Sequence, residues 1–356
     1  MSNVPIAFNV MLVRKTLFPL LRLALDPSAE APDLSALTEV EWESLVNFSF
    51  NQGVAAIAVD GLQRSFELSA ESLEFALDKP ELESLKYEWF GATFQAEGDY
   101  GKTVEATEEL AKKFPIVVLK GLAVARKYPV PSHRASVDLD VFGEEEMLKQ
   151  VQHDVIRDDY KHTGFMFQGV MVEYHKSLIG WKSLKNGRFI EKTLREALGT
   201  PDGIYPNDYF NALFLTVHSY THFMLEDGIS LKHIIDWYLC FNENDGSTGS
   251  PTDENLRERV LATVETFGMR EFAESMTRVA EYVCKDPSTA LTKTDSRMLD
   301  DILALGKKKR FKNGHLNMAC NILFRNGWKF RTFAKESNLA CLIRCGWNAI
   351  FRSEYV

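Results

Sequence analysis

The sequence predicts an α+β protein, a small mixed or antiparallel sheet set between an N-terminal and a C-terminal helical region. Apolar residues recur at three- and four-residue intervals in the first 110 residues and again after about residue 205, as helices facing a core require. Between these stretches lie short β-branched runs and runs of period-two alternation, the patterns of strands. The composition, 45% hydrophobic and 26% charged, excludes disordered, collagenous and disulfide-scaffold chains. At 356 residues the chain exceeds a typical domain of roughly 150, and it divides at the pattern changes. We expect a helical region over 1–110, an α/β core over 111–200 and a helical region with a basic tail over 201–356.

The first helical stripe covers residues 8–25 and the second 42–62. Thr38 and Glu41 have the spacing of a capping box ahead of Trp42, and Asn51-Gln52-Gly53 offers a residue tolerant of left-handed geometry to end that helix. A third run, 82–113, stops at Phe114-Pro115. Ile116-Val117-Val118-Leu119 then reads as a buried strand closed by Lys120-Gly121. A short helix over 122–128 and a proline-containing loop over 129–133 lead to a second strand over 136–142, followed by a helix over about 144–154. Residues 165–167 and 170–175, joined by Gln168-Gly169, form an antiparallel hairpin. Helices follow over 208–225 and 231–241 with Glu226-Asp227-Gly228 between them, then a polar loop over 242–253 and helical patterning through Cys284 and after Asp295.

The net charge of -9 argues against a dedicated nucleic-acid binder, which needs a basic surface for phosphates. Residues 301–356 nevertheless carry eleven Lys and Arg against three Asp and Glu. Lys307-Lys308-Lys309-Arg310-Phe311-Lys312 and Trp328-Lys329-Phe330-Arg331 interleave cations with aromatics, either to contact an acidic partner or as a solvated helix face with core aromatics. Cys240, Cys284, Cys320, Cys341 and Cys345 are odd in number and lack a CxxC pair, which fits buried thiols in a reducing, cytoplasmic setting. Arg14, Lys15, Pro19 and Arg22 interrupt the apolar N-terminal stretch, so no membrane span is expected there.

Asp138 and Asp140 share one face of their strand, while Val137, Leu139 and Val141 line the other. Two converging carboxylates repel unless a cation lies between them, and Mg2+ or Mn2+ is the hard ion for such a pair. The other reading of the pair is a solvated strand face; in the metal reading the aspartates are also surface acids, whose replacement by Asn abolishes turnover and does little to folding. Glu173 is the candidate third acid, placed beside the aspartates by an antiparallel neighbouring strand. Lys120 and Gly121, where a strand meets a helix, suit a phosphate, or form a tight turn. Arg134 either grips a triphosphate or neutralises the acidic strand. His175 shares the strand face of Glu173 and is a candidate substrate contact. His218, His222 and Glu226 lie one helical turn apart and offer a weaker metal set or packing histidines, and Asp236 pairs with Lys232 along a helix.

Taken in order, Val118-Leu119-Lys120-Gly121, Tyr128-Pro129-x-Pro131, Arg134, Asp138-x-Asp140 and Glu173-x-His175 resemble an uncharacterised bacterial nucleotidyltransferase family of the polymerase-β-like superfamily. The resemblance runs from about Trp42 to Phe241. It implies a minimal nucleotidyltransferase sheet with Asp138, Asp140 and Glu173 as metal-binding acids and Gly121 near the phosphates of an NTP. The Gly-Ser usual ahead of the aspartates is replaced by Lys120-Gly121, and the gap to Asp138 is longer. The implied activity is Mg2+- or Mn2+-dependent transfer of NMP to a hydroxyl of an acceptor, whether small molecule, protein or RNA, with no membrane partner. The alternatives are a non-catalytic module that binds a nucleotide or a partner through the same fold, and transfer of the γ-phosphate instead.

Overall fold

The computed structural model describes residues 10–68, 83–136, 138–143, 147, 155–159, 161–180, 184–200, 203–226, 228–241, 254–304 and 321–351. The expectations for Val137, Asp227, Cys320, most of the helix over 144–154, the loop over 242–253 and the basic run over 307–312 lie outside them.

In the N-terminal region α1 (Phe18–Leu25) follows a π-type turn at Val13–Leu17 and carries Pro19 in its first turn, where a missing N–H is harmless. The capping box forms at the start of α2 (Glu39–Asn51): Glu41 N donates to Thr38 Oγ1 at 3.3 Å and Thr38 N to Glu41 Oε2 at 2.9 Å. The helix gives way to Gly53 at φ 68°. Helix α3 (Ala55–Leu68) crosses α1 so closely that a Cβ on Gly61 would stand 1.9 Å from the Leu20 carbonyl oxygen. The long α4 (Glu83–Lys113) then stops ahead of Pro115.

Five strands follow, β1 (Ile116–Val118), β2 (Leu139–Gly143), β3 (Val155–Asp158), β4 (His162–Phe167) and β5 (Val170–His175), in the order β1-β2-β5-β4-β3. Only β2 and β5 run parallel. That pairing corrects the antiparallel neighbour expected for Glu173: β4 runs opposite to β5, so β5 enters beside β2 in the same direction as β2. The edge strand β3 has no sequence signature, since all four of its residues are exposed. Five-residue α5 (Gly121–Ala125) links β1 towards β2.

On one face of the sheet Leu139, Val141, Phe165, Val172 and Tyr174 pack with Ala106 and Leu110 of α4 in a separate small core. The C-terminal region comprises α6 (Gly187–Leu198), α7 (Asp208–Leu225), α8 (Leu231–Phe241), α9 (Glu254–Thr266), α10 (Arg270–Cys284), α11 (Lys293–Leu303) and α12 (Asn338–Phe351). Its apolar stripes join those of α1, α2 and α3, together with Leu119, Val124 and Leu178, in one large core. Buried Gln52 ties the two ends of the chain together. Its Nε2 donates to Ile302 O at 3.1 Å and its Oε1 accepts from Leu231 N at 2.8 Å.

Of the second basic-aromatic stretch, Trp328 and Phe330 are core residues, and Lys329 is fully buried, donating to Asp301 at 2.6 Å and to Phe223 O at 2.8 Å. Cys240, Cys284 and Cys341 are buried, and none of them is in a disulfide among the described residues. Among the described residues, no helix is long and apolar enough to cross a membrane.

Candidate active site

The sheet face turned away from α4 gathers the polar residues that alternation leaves there. Asp140 pairs directly with Glu173 across the parallel β2–β5 ladder, and His175 lies two residues further along β5. Across β5, His162 of β4 stands opposite His175, and Gly164 opposite Glu173, so no side chain crowds the glutamate from that strand. Asp138, Asp140 and Glu173 can each bring a carboxylate oxygen within 4.8 Å of the others, and His162, Glu173 and His175 form a second such group.

Asp140 is 3% exposed, and two cationic or donor side chains converge on its Oδ1. Lys120 Nζ lies 2.8 Å from its Oδ1, and His175 Nε2 donates to the same oxygen at 2.8 Å. Burial opposes its charge, but Lys120 and His175 outweigh that and hold the carboxyl well below the usual range. The expectation that both aspartates are surface acids is thereby corrected for Asp140. Burial and the neighbouring cations push His175 down to about 4 although Asp140 pulls the other way. It is therefore a neutral imidazole whose proton sits on Nε2, against an acceptor-only carboxylate.

Asp138 is half-buried, and burial and then the charge of Asp140 raise its pKa; Glu173 is raised by the same two causes. Among the described residues no lysine or arginine pairs with Asp138, and exposed Arg157 is the one that pairs with Glu173. Their oxygens, spaced for one or two small ions, suit a hard divalent cation. Arg157 Nη1 approaches Glu173 Oε1 only to 3.6 Å from an exposed position.

Lysines complete the surroundings. Lys120 adopts φ 44°, a strained backbone that places its ammonium on Asp140, and Gly121 follows at φ 23°. A Cβ on Gly121 would meet Ser136 Oγ at 3.4 Å, so the junction abuts the entry to β2. Burial, then Lys120, lowers Lys161. Burial, then Arg134, pushes Lys232 down to about 8. Neither Lys161 nor Lys232 has an ion-pair partner among the described residues. Sequence reasoning missed Lys161 and His162, and took Lys232 for a helical partner of Asp236. Alternation over His162-x-Gly164-x-Met166 was the available signal, weakened by the glycine.

Arg134 is placed in a buried bidentate pair with Asp236 of α8, both bonds 2.8 Å, and Tyr128 Oη donates to the same carboxylate at 2.7 Å. Asp236 consequently takes Arg134 rather than the Lys232 partner expected from helical spacing. On the other side of the loop His133 Nδ1 meets Asp60 at 2.8 Å and its Nε2 meets Glu97 at 3.2 Å. The strand carrying the aspartates is thus anchored from α3, α4 and α8. Behind this loop lies a cavity of about 200 Å³, walled by Phe50, Ala55, Ala92 and Leu122 and reaching Ser136.

His222 Nδ1 pairs with Glu226 at 2.7 Å, and His218 stacks on Phe214 with ring centroids 6.1 Å apart. Burial lowers both His218 and His233 well below the ordinary imidazole value. These residues form a packed imidazole cluster, outside the two groups whose ligand atoms converge among the described residues.

Neither a curated protein nor a solved structure matches the chain. Residues 38–284, more than half of the sequence and including every site residue above, match the profile described as uncharacterised nucleotidyltransferase. With its acids assembled on one sheet face, the chain belongs to this nucleotidyltransferase family.

Proposed function

We propose that the protein transfers a nucleoside monophosphate from an NTP to a hydroxyl of an acceptor, releasing pyrophosphate, within the polymerase-β-like superfamily that its motifs resemble. The observation that carries this reading is the pairing of Asp140 with Glu173 on parallel strands, beside Asp138. A divalent ion such as Mg2+ or Mn2+ at these acids would neutralise the triphosphate and favour the acceptor alkoxide. Asp138 and Asp140 hold the nucleotide side of the site and Glu173 the acceptor side. Lys120, at the Gly121 turn, moves between Asp140 and phosphate oxygens, with Lys161 and Lys232 as further phosphate cations. Arg134 acts from behind, fixing the loop that delivers Asp138. The neutral His175 holds the orientation of Asp140, and the cavity behind Ser136 is the place for part of the acceptor or nucleoside.

The test is incubation of the purified chain with each α-labelled NTP, Mg2+ or Mn2+, and cell extract as acceptor source. Wild type should incorporate label and release pyrophosphate, and Asp138→Asn and Glu173→Gln should each lose at least about a hundredfold. Undiminished incorporation in a folded Asp138→Asn chain sinks the mechanism. Nucleotide binding without incorporation favours a binding module, and incorporation of γ-label instead favours phosphotransfer.

A further inference from the structure

We propose that His162 is a ligand for a divalent transition-metal ion, Mn2+, Co2+ or Zn2+, bound together with Glu173, the one acid that both convergent groups share. His162 is 8% exposed, and its Nε2 meets no hydrogen-bond partner. Buried ring nitrogens ordinarily find one. This nitrogen faces Glu173 Oε2 across 3.8 Å. That is too long for a hydrogen bond, yet only a few tenths of an ångström wider than the roughly 3.0–3.4 Å between neighbouring ligands of one ion at bonds of about 2.1 Å. Glu173 is the mobile partner, with 19% of its side chain exposed and Gly164 opposite it, so a small rotation of the carboxylate closes the set.

His175 Nε2 also lies 3.9 Å from Glu173 Oε2. Its proton, however, is held on Asp140, and using that nitrogen as a ligand would shift the proton to Nδ1, which has no acceptor. His162 therefore supplies the nitrogen, while His175 keeps Asp140 in place. An imidazole beside a carboxylate favours borderline ions over Mg2+, which prefers oxygen ligands only. The inference rests on the transferase reading only for the use of the ion, because ion binding is measured separately.

Pulsed electron paramagnetic resonance of Mn2+ bound to the full chain reads the ligand directly, and equilibrium dialysis reads Co2+ and Mg2+ affinity. Both His162→Gln and His162→Ala are made, with circular dichroism to confirm folding, so that one misfolded variant leaves the other. Wild type should show imidazole-nitrogen coupling and bind Co2+ more tightly than Mg2+. In the variants the coupling should vanish and Co2+ affinity fall at least about tenfold, with Mg2+ affinity within about twofold. Absence of coupling in wild type, coupling that survives in a folded variant, Co2+ bound no more tightly than Mg2+, or equal losses for both ions would each overturn the proposal. Nitrogen coupling without label transfer would retire the transferase reading and keep the ligand. Label transfer without nitrogen coupling would do the reverse.

Discussion

Asp140 lies in β2 and Asp138 just ahead of that strand, and their surroundings give them opposite effects on stability. Asp140 is buried with Lys120 and His175, so Asp140→Asn should destabilise the chain by about 3 kcal/mol by stranding the lysine. Its lowered pKa means that its stabilisation is present above the ordinary carboxylate value and is lost as pH falls below it. Asp138 has a raised pKa, so its charge begins to weigh against folding once pH rises above the ordinary value. Urea unfolding in a chelator should therefore show Asp138→Asn at least as stable as wild type at neutral pH, with any gain vanishing below about pH 4. Lys232, pushed down to about 8, loses its charge above that pH. Calorimetry should find pyrophosphate binding weakening above this point in wild type, and Lys232→Met should flatten the dependence. At this scale the acids were legible because alternation alone puts them on one face. The partner of Arg134 was not, since Asp236 lies 102 positions along the chain and no local pattern joins them.

Helix ends were the most legible elements, because capping chemistry is local: Thr38 with Glu41 and Gly53 each stand where their spacing put them. Strands were less so. The β4–β5 hairpin is written in alternation around Gln168-Gly169, whereas β3 has only exposed residues and takes its place by pairing with β4. The direction of β5 beside β2 depends on chain routing, which periodicity does not encode. Packing between elements makes a sharp contrast available in two helical glycines. At Gly61 a methyl would strike the Leu20 backbone at 1.9 Å, whereas Gly98 on α4 has nothing within 4 Å. Thermal and urea unfolding should show Gly61→Ala destabilised by about 3 kcal/mol or more, and Gly98→Ala stabilised by up to about 1 kcal/mol.

Across the whole molecule, the large core draws side chains from both helical regions and from the segments flanking the sheet, among them Leu119, Val124, Ile190 and Leu194. A fragment of residues 111–200 would expose that shared surface. It should lack a cooperative unfolding transition by circular dichroism, while the full chain keeps one. Composition alone indicated a chain able to build such a core, but not that its two ends meet over Gln52. The ion pair between Lys120 and Asp140 has a consequence at this scale. Asp140 carries its own counter-ion in Lys120, so under the proposed function the first ligand to arrive would displace the lysine and the second would find it already released. On the proposed function, metal and nucleotide would then load synergistically, each tightening the other by the same factor, as thermodynamic reciprocity demands. An ion arriving alone would have to compete with a tethered ammonium, which would bias the resting protein towards idleness until both are at hand.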